Sequence, residues 1–172
     1  MASWRHVQPP LALMPVTLDE ETVAFMMSGT SMHAASCDAD GVPNLSRPIA
    51  CRVSPDRTRV TVFMLASHSG AMLADFRANG RIAVVLTMPS THRTIQLKGE
   101  DAAVEPLRDD DPILVARHRE AFARDLERIG FARSVPVTLL EGTRGDIIAV
   151  GFTVTAAFTQ TPGPGAGAPL KP

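Results

Sequence analysis

The chain has 172 residues, of which 45% are hydrophobic and 20% charged, and its formal net charge at pH 7 is −1. This apolar content is too high for general disorder, and the near-zero charge argues against attachment to nucleic acid or acidic membranes through a basic surface. No stretch approaches the roughly 20 apolar residues that cross a bilayer. Residues 11–16, broken by Pro15, are too short for a signal-peptide core. The expectation is a cytoplasmic protein with one domain.

The first structured element is predicted to be a helix near residue 17. Residues 1–16 contain several prolines and show no period, which is typical of an N-terminal arm ahead of a domain at 17–160. Thr17 to Glu20 matches a capping box, so a helix is expected to begin there and to end at Gly29.

Alternating apolar residues and turn sequences predict about six antiparallel strands. They cover residues 32–37, 44–53, 60–65, 82–88, 92–98 and 147–158, with a further short strand possible over 135–140. The strand over 60–65 is expected to be buried on both faces, because β-branched and aromatic residues fill it. Pro48 cannot donate a hydrogen bond to a neighbouring strand, so its strand should lie at an edge or contain a bulge. Gly151 would permit a bend in the long last strand.

A helix is predicted between the strands at 60–65 and 82–88. Ser67 or Ser69 would cap its free amides, and the pair Asn79-Gly80 would end it in a left-handed turn.

A third helix is expected after the acidic run at 109–111. Pro112 would open it and Gly130 would close it, with His118 on or beside its solvated face. Residues 161–172 are rich in proline, glycine and alanine and are predicted to be disordered. Together these elements predict an α+β fold, a small antiparallel split β-barrel with peripheral helices.

The sequence contains none of the common motifs for metal binding or nucleotide binding. Cys37 and Cys51 lack CxxC spacing; they could meet across neighbouring strands, but two reduced, buried thiols are the expectation. The five histidines show no HExxH or other close ligand spacing, so no metal site is expected. The GxSxG, P-loop and GxGxxG patterns are absent as well.

Four short segments occur in an order that is itself informative. They are residues 41–43 (GVP), 47–52 (RPIACR), 79–84 (NGRIAV) and 92–99 (HRTIQLKG). In this order and spacing the chain resembles the split β-barrel family of pyridoxamine 5′-phosphate oxidase and related FMN-binding proteins, over residues 32–104. The resemblance implies a homodimer with two ligand sites at the subunit interface.

The resemblance also implies which residues hold the flavin phosphate. Arg47 and Arg52 correspond to the family's two basic residues five positions apart, and a guanidinium donates paired hydrogen bonds to phosphate oxygens. Residues five apart on a regular strand face opposite sides, so both reach one ligand only if Pro48 marks a bulge.

At the start of the central helix the chain departs from the family's pattern. The family has a basic pair there, whereas residues 70–72 of this chain are Gly-Ala-Met. Ser67, His68, Ser69 and the amides of the helix N-terminus are then the groups expected to cradle a phosphate.

The flavin ring is expected to meet the polar face of the strand over 92–98. Thr94 corresponds to the family's ring-contacting glutamine, and Gln96 lies on the same face two residues along. Residues 153–172 lack the Trp- and Arg-rich segment that recognises substrate in the true oxidase. The resemblance therefore favours an FMN-binding oxidoreductase for another small molecule, with its catalytic residues unassigned.

Two other interpretations remain open from the sequence. The barrel could be a non-enzymatic sensor of haem or a deazaflavin, with His33, His68 or His92 as an axial haem ligand. Alternatively, the chain could form a structural dimer without a ligand, in which the Thr94 and Gln96 face lines the interface.

Overall fold

The computed structural model describes residues 14–140 and 144–170. Its helices are α1 (Glu20–Met26), α2 (Gly70–Asn79), α3 (Asp111–Arg128) and α4 (Ser134–Leu139), with single 3₁₀ turns at Ala66–His68 and Arg144–Asp146. Its strands are β1 (Ser31–Cys37), β2 (Pro43–Ser46), β3 (Ala50–Val53), β4 (Arg59–Leu65), β5 (Ile82–Thr87), β6 (Thr94–Gly99), β7 (Ala103–Glu105), β8 (Ile147–Thr153) and β9 (Ala156–Thr159). The N-terminal arm predicted over 1–16 lies almost wholly outside the described residues.

The strands form two antiparallel sheets. One has the order β2-β1-β5-β6-β9, and the other has the order β3-β4-β8-β7. Between them lies the main core, which includes Met32, Val60, Val62, Leu97 and Phe152, all fully buried or nearly so. Burying each such side chain contributes roughly 1.5–3 kcal/mol. The predicted α+β split barrel is confirmed, although hydrogen bonds between the described strands do not close the sheets into one ring.

A second, smaller core lies between the four-stranded sheet and α3. Phe63 and Ala149 point out of that sheet and pack with Phe122 and Leu126 of α3. As predicted, β4 is buried on both faces, because its alternate residues face the two cores.

Two of the predicted strands are each divided between the two sheets. The strand expected over 44–53 stops at Ser46 and resumes at Ala50 in the other sheet, with Pro48 in the gap. Both pieces are edge strands, which agrees with the missing amide of Pro48. The strand expected over 147–158 divides in the same way at Val154 and Thr155. There the Val154 amide donates to Thr58 O (2.9 Å) and the Thr155 amide donates to Lys98 O (2.9 Å), on opposite sheets.

The described part of the chain has nine strands rather than about six, because of these two divisions and because β7 was not predicted. β7 pairs with β8, and the Glu105 side chain crosses over Gly151, where a Cβ would collide with its carboxylate. Gly151 therefore permits a close approach rather than the predicted bend. Residues 135–140 were predicted as a strand but lie mainly in α4, since Pro136 is tolerated in a first helical turn and not within a ladder.

The capping predictions for α1 and α2 are wrong in detail. The Asp19 carboxylate, rather than Thr17, caps α1 by accepting from the Thr22 amide at 2.6 Å. Neither Ser67 nor Ser69 caps α2, because both hydroxyls bond to other side chains. Gly80 ends α2 with a positive φ, as predicted.

His118 is buried in the fold, with only 3% of its surface exposed, and not on the solvated face of α3. It stands four residues after Leu114 and four before Phe122, so the helical period places it on the packed side. Its Nε2 lies 2.9 Å from Thr30 O, and burial lowers the pKa of the imidazole below its usual value.

Residues 161–170, for which the sequence predicts disorder, lie along β9. The Gly167 amide donates to Thr159 O (2.7 Å), and the Leu170 amide donates to Ala157 O (2.8 Å). Leu170 also packs against the main core. This segment is therefore held at the edge of the five-stranded sheet.

Candidate functional site

One face of the five-stranded sheet packs in the main core, and its opposite face carries the candidate site. We call this opposite surface the outer face. Because side chains alternate along a strand, every second residue of each strand contributes to it. Its residues are Ser31, His33, Ala35 and Cys37 of β1, Ala83, Val85 and Thr87 of β5, Thr94, Gln96 and Lys98 of β6, and Ala156 and Phe158 of β9. Most of them are half-buried, and Leu45 of β2 beside them is 67% exposed.

Arg47 lies at one end of the outer face, directly after β2. Its guanidinium donates to Ser31 Oγ at 3.1 Å and lies 3.0 Å from His33 Nε2. Since a guanidinium only donates, His33 Nε2 accepts and the ring is neutral. Burial, and then the charge of Arg47, lower the pKa of His33. No acidic side chain pairs with Arg47 within residues 14–140 and 144–170, so its charge is available to an anion.

Thr94 and Gln96 lie on the same outer face as Arg47, as their strand alternation predicts. Thr94 Oγ1 donates to His92 O and lies 3.0 Å from Thr87 Oγ1. In the sheet register Val85 stands between His33 and Gln96, which places the last two about 10 Å apart, or two strand spacings. The outer face therefore carries the Arg47 cation, the Gln96 amide and the Thr94 hydroxyl, with the apolar Val85 side chain between them.

Arg52 does not join Arg47, although the sequence predicts that both hold one phosphate. The chain crosses to the other sheet at Pro48, so the expected bulge is a complete strand break. Arg52 is 11% exposed there and forms an ion pair with Asp111, which is 1% exposed, while Glu105 lies 3.9 Å away. These two carboxylates hold the Arg52 guanidinium within the fold, away from Arg47.

The residues before α2 are also engaged within the chain. The Ser67 amide and hydroxyl both donate to the Asp146 carboxylate, at 2.9 and 2.5 Å. These Ser67 hydrogen bonds, with the nearby His68, lower the pKa of Asp146. Ser69 Oγ is buried and lies 2.9 Å from Ser46 Oγ. A carboxylate thus takes the Ser67 hydroxyl that was expected to help hold a phosphate, while the His68 side chain remains exposed.

The contacts of Ser31 and His33 with Arg47 were not predicted from the sequence. The signal that could have found them is the alternation in β1, which puts Ser31 and His33 on one face beside the strand that precedes Arg47. Elsewhere in the described residues, no group of three or more His, Cys, Asp or Glu side chains is arranged to hold a metal ion. No helix among them is long and apolar enough to span a bilayer.

Comparison with known proteins gives matches in structure but none in sequence. No protein-family model and no curated protein matches the chain. Among solved structures, HupZ of Group A Streptococcus matches with a TM-score of 0.52 at 16% identity, covering 88% of this chain and 99% of that one. A candidate pyridoxamine 5′-phosphate oxidase of Lactobacillus delbrueckii matches with a TM-score of 0.50 at 17% identity, covering 83% and 93%. The chain has the pyridoxamine 5′-phosphate oxidase-like split-barrel fold. An F420 reductase shares this split-barrel fold, with a TM-score of 0.51, 14% identity and coverage of 81% and 98%.

Proposed function

We propose that the protein is a cytoplasmic, homodimeric split barrel that binds a flavin nucleotide and oxidises or reduces a small molecule. FMN is the first candidate for this nucleotide. The observation that carries this proposal is the guanidinium of Arg47 at the half-buried outer face, which contacts Ser31 and His33 but has no acidic partner among the described residues. The free thiols of Cys37 and Cys51 are compatible with a reducing compartment.

Different residues of the chain would hold the phosphate and the ring of such a ligand. Arg47 would donate to the phosphate, and Gln96 offers both a donor and an acceptor to the edge of a heterocycle. Val85, between His33 and Gln96, offers an apolar surface to a flat ring. When bound, the flavin ring itself supplies the hydride or electron transfer, so the protein needs few catalytic side chains.

A second copy of the chain is the proposed cover for the outer face. Leu45 is largely exposed, and Val85 and Phe158 are only half-buried. Apolar side chains exposed next to polar ones are typical of a surface that a partner covers. Pairing two such faces would bury this area and enclose a ligand between the subunits.

The contribution of Arg47 can be isolated by comparing FMN with riboflavin, which lacks the phosphate. Arg47→Gln is expected to weaken FMN binding roughly tenfold, or about 1.4 kcal/mol, because one charged hydrogen-bonding group is lost. Riboflavin binding should stay within about twofold, since Arg47 is expected to contact only the phosphate. The measurement is flavin fluorescence quenching on titration of the purified protein.

The matched control is Arg77→Gln, which removes the same charge from an exposed position in the last turn of α2. It should leave both affinities unchanged. Unsaturable quenching by wild-type protein would refute the flavin proposal. An equal loss of FMN and riboflavin affinity in Arg47→Gln would refute the role of Arg47 at the phosphate.

Asp146 favours a second candidate, a cofactor anchored differently from FMN. Its carboxylate already holds the Ser67 amide, and Gly70 and Ala71 follow where the family has a basic pair. A deazaflavin or haem is then the alternative cofactor, with exposed His33 as a candidate haem ligand. On titration with haemin, a Soret shift that is lost in His33→Ala would favour haem. A dimer that binds none of these molecules would favour a structural role.

A further inference from the structure

A cavity of about 430 Å³ lies between the end of α1 and the first half of α3, and we call it the α1–α3 cavity. Its wall consists of the residue that follows α1, the residue that precedes α3 and one side of α3, because the α3 positions recur at intervals of three or four. In chain order these residues are Met27, Asp110, Ile113, Leu114, Arg117 and His118. None of them belongs to a strand or to the outer face that the proposed dimer covers.

His118 brings a buried hydrogen-bond acceptor to this wall. Its Nε2 lies 2.9 Å from Thr30 O, and a carbonyl oxygen only accepts, so Nε2 carries the ring proton. Burial lowers the pKa of the imidazole, which keeps the ring neutral at pH 7. Nδ1 is then an unprotonated acceptor, and no group that the structure describes donates to it. A buried acceptor without a donor costs free energy, which a donor on a ligand would recover.

The remaining side chains of the wall favour an uncharged ligand. Met27, Ile113 and Leu114 are apolar. Asp110 and Arg117 are both exposed and carry charges of opposite sign, so the wall has no net charge. Such a wall does not attract an anion as the guanidinium of Arg47 does.

We propose that the α1–α3 cavity binds an uncharged small molecule with an apolar body and one O–H or N–H donor, such as a phenol. The donor would hydrogen-bond to His118 Nδ1, and the apolar body would pack against Met27, Ile113 and Leu114. The volume of the cavity lies within the usual range for ligand sites, which are mostly apolar with a few polar groups. Nδ1 is closed to solvent, so a wall side chain must move to admit the donor. Met27 can do so, because it is 37% exposed and its thioether chain is flexible.

The α1–α3 cavity is distinct from the proposed flavin site. The flavin proposal uses Arg47, Val85 and Gln96, which lie in the five-stranded sheet or directly after one of its strands, whereas α1 and α3 with their flanking residues form the cavity wall. α3 packs on the four-stranded sheet and not on the outer face. Pairing two outer faces therefore needs none of the wall residues, and binding in the cavity requires neither Arg47 nor a flavin.

The first test compares two probes on the full-length protein, 1-naphthol and 1-methoxynaphthalene, which share an aromatic body but differ in that only the first has a donor. We expect 1-naphthol to bind about tenfold more tightly, or about 1.4 kcal/mol, because only its hydroxyl can donate to His118 Nδ1. The measurement is the fluorescence of each probe on titration with the protein. Equal affinities, or no saturable binding of 1-naphthol, would overturn the proposal.

Nitrogen NMR of the histidine rings reports the hydrogen bond itself. In protein labelled with nitrogen-15 at histidine, the unprotonated Nδ1 of His118 resonates apart from the protonated Nε2, and a donor shifts the Nδ1 signal towards the protonated position. Saturating 1-naphthol is expected to cause this shift, whereas 1-methoxynaphthalene should not. An unchanged Nδ1 signal in the presence of bound 1-naphthol would put the molecule elsewhere and refute the proposed site.

Two variants separate the acceptor from the apolar wall. His118→Phe keeps an aromatic ring but removes the acceptor, so the two probes should then bind within about twofold of each other. Ile113→Ala, at an exposed position, should weaken both probes about threefold through lost apolar contact and keep the preference for 1-naphthol. The matched control is Ile129→Ala, which is also exposed but lies outside the cavity and should change neither affinity. A full preference in His118→Phe, or wild-type binding by Ile113→Ala, would contradict the site. If His118→Phe does not fold, the nitrogen NMR of the wild type decides.

FMN provides the comparison that keeps this site apart from the proposed function. Saturating FMN is expected to leave the affinity for 1-naphthol unchanged in equilibrium dialysis, and so is Arg47→Gln. If FMN displaces 1-naphthol, the two sites are one, and the separate cavity site is refuted. A failure of FMN to bind would refute the proposed function and leave the 1-naphthol result standing.

Discussion

Replacing Gly29 with alanine is expected to destabilise the protein by about 3 kcal/mol. Gly29 has φ of +92°, and a Cβ built on it would collide with the Phe122 amide nitrogen and lie 2.5 Å from the carbonyl carbon of Ala121. These are backbone atoms of α3, which cannot rotate away as a side chain tip can. The left-handed backbone costs a non-glycine residue about 1–2 kcal/mol, and overpacking adds about 1–3 kcal/mol. The measurement is urea unfolding.

Gly41→Ala is the matched control, because Gly41 also has a positive φ, of +83°, but no heavy atom lies within 4 Å of its added Cβ. This variant should lose only about 1 kcal/mol, the backbone part of the cost. The difference between the two variants isolates the packing of α3 against the turn after α1. Equal losses at the two positions would contradict that close packing.

Asp111→Ala is expected to cost about 3–5 kcal/mol, because it leaves the guanidinium of Arg52 largely buried without its closest carboxylate. Asp111 also accepts from the Arg108 amide at 2.8 Å, so its loss frees a second donor at the start of α3. Glu105 lies 3.9 Å from Arg52 and is shared with Arg59, which it contacts at 2.6 Å, so it offsets the Arg52 charge only in part. The measurement is the free energy of unfolding in urea.

An exposed ion pair and a double variant serve as controls for Asp111. Glu20 pairs with Arg57 at 3.1 Å but is 91% exposed, so Glu20→Ala should lose no more than about 1 kcal/mol. Arg52→Met/Asp111→Leu should recover much of the stability, since apolar replacements of a buried pair are often neutral. A double variant less stable than Asp111→Ala would contradict the account of an uncompensated charge.

Local patterns in the sequence predict an element correctly when its own residues decide its conformation and its burial. The strand over 60–65 was found because its residues are apolar on both faces, and Gly80 was found because a left-handed helix end suits glycine. The crossings at Pro48 and Val154 were missed, because nothing local decides whether a chain continues in one sheet or passes to another. That choice depends on partners such as Thr58 and Lys98, distant in sequence from Val154.

The same distinction holds for the candidate site. Alternation placed Thr94 and Gln96 on one face, and the structure has them on the outer face, at the far side of which Arg47 contacts Ser31 and His33. Arg52 was assigned to the phosphate by resemblance, and its ion pair with Asp111 joins residues 59 positions apart. Spacing within one segment carries no information about such a partner. Only the folded structure shows that Arg52 pairs with Asp111 and not with a phosphate.

Native mass spectrometry of the freshly purified protein is the most direct test of the central claim, that two outer faces meet and hold a flavin nucleotide between them. The expected result is a species of twice the 18.4 kDa chain mass that carries additional mass equal to bound flavin nucleotide. A monomer without additional mass, unchanged after incubation with excess FMN, would contradict both the dimer and its ligand.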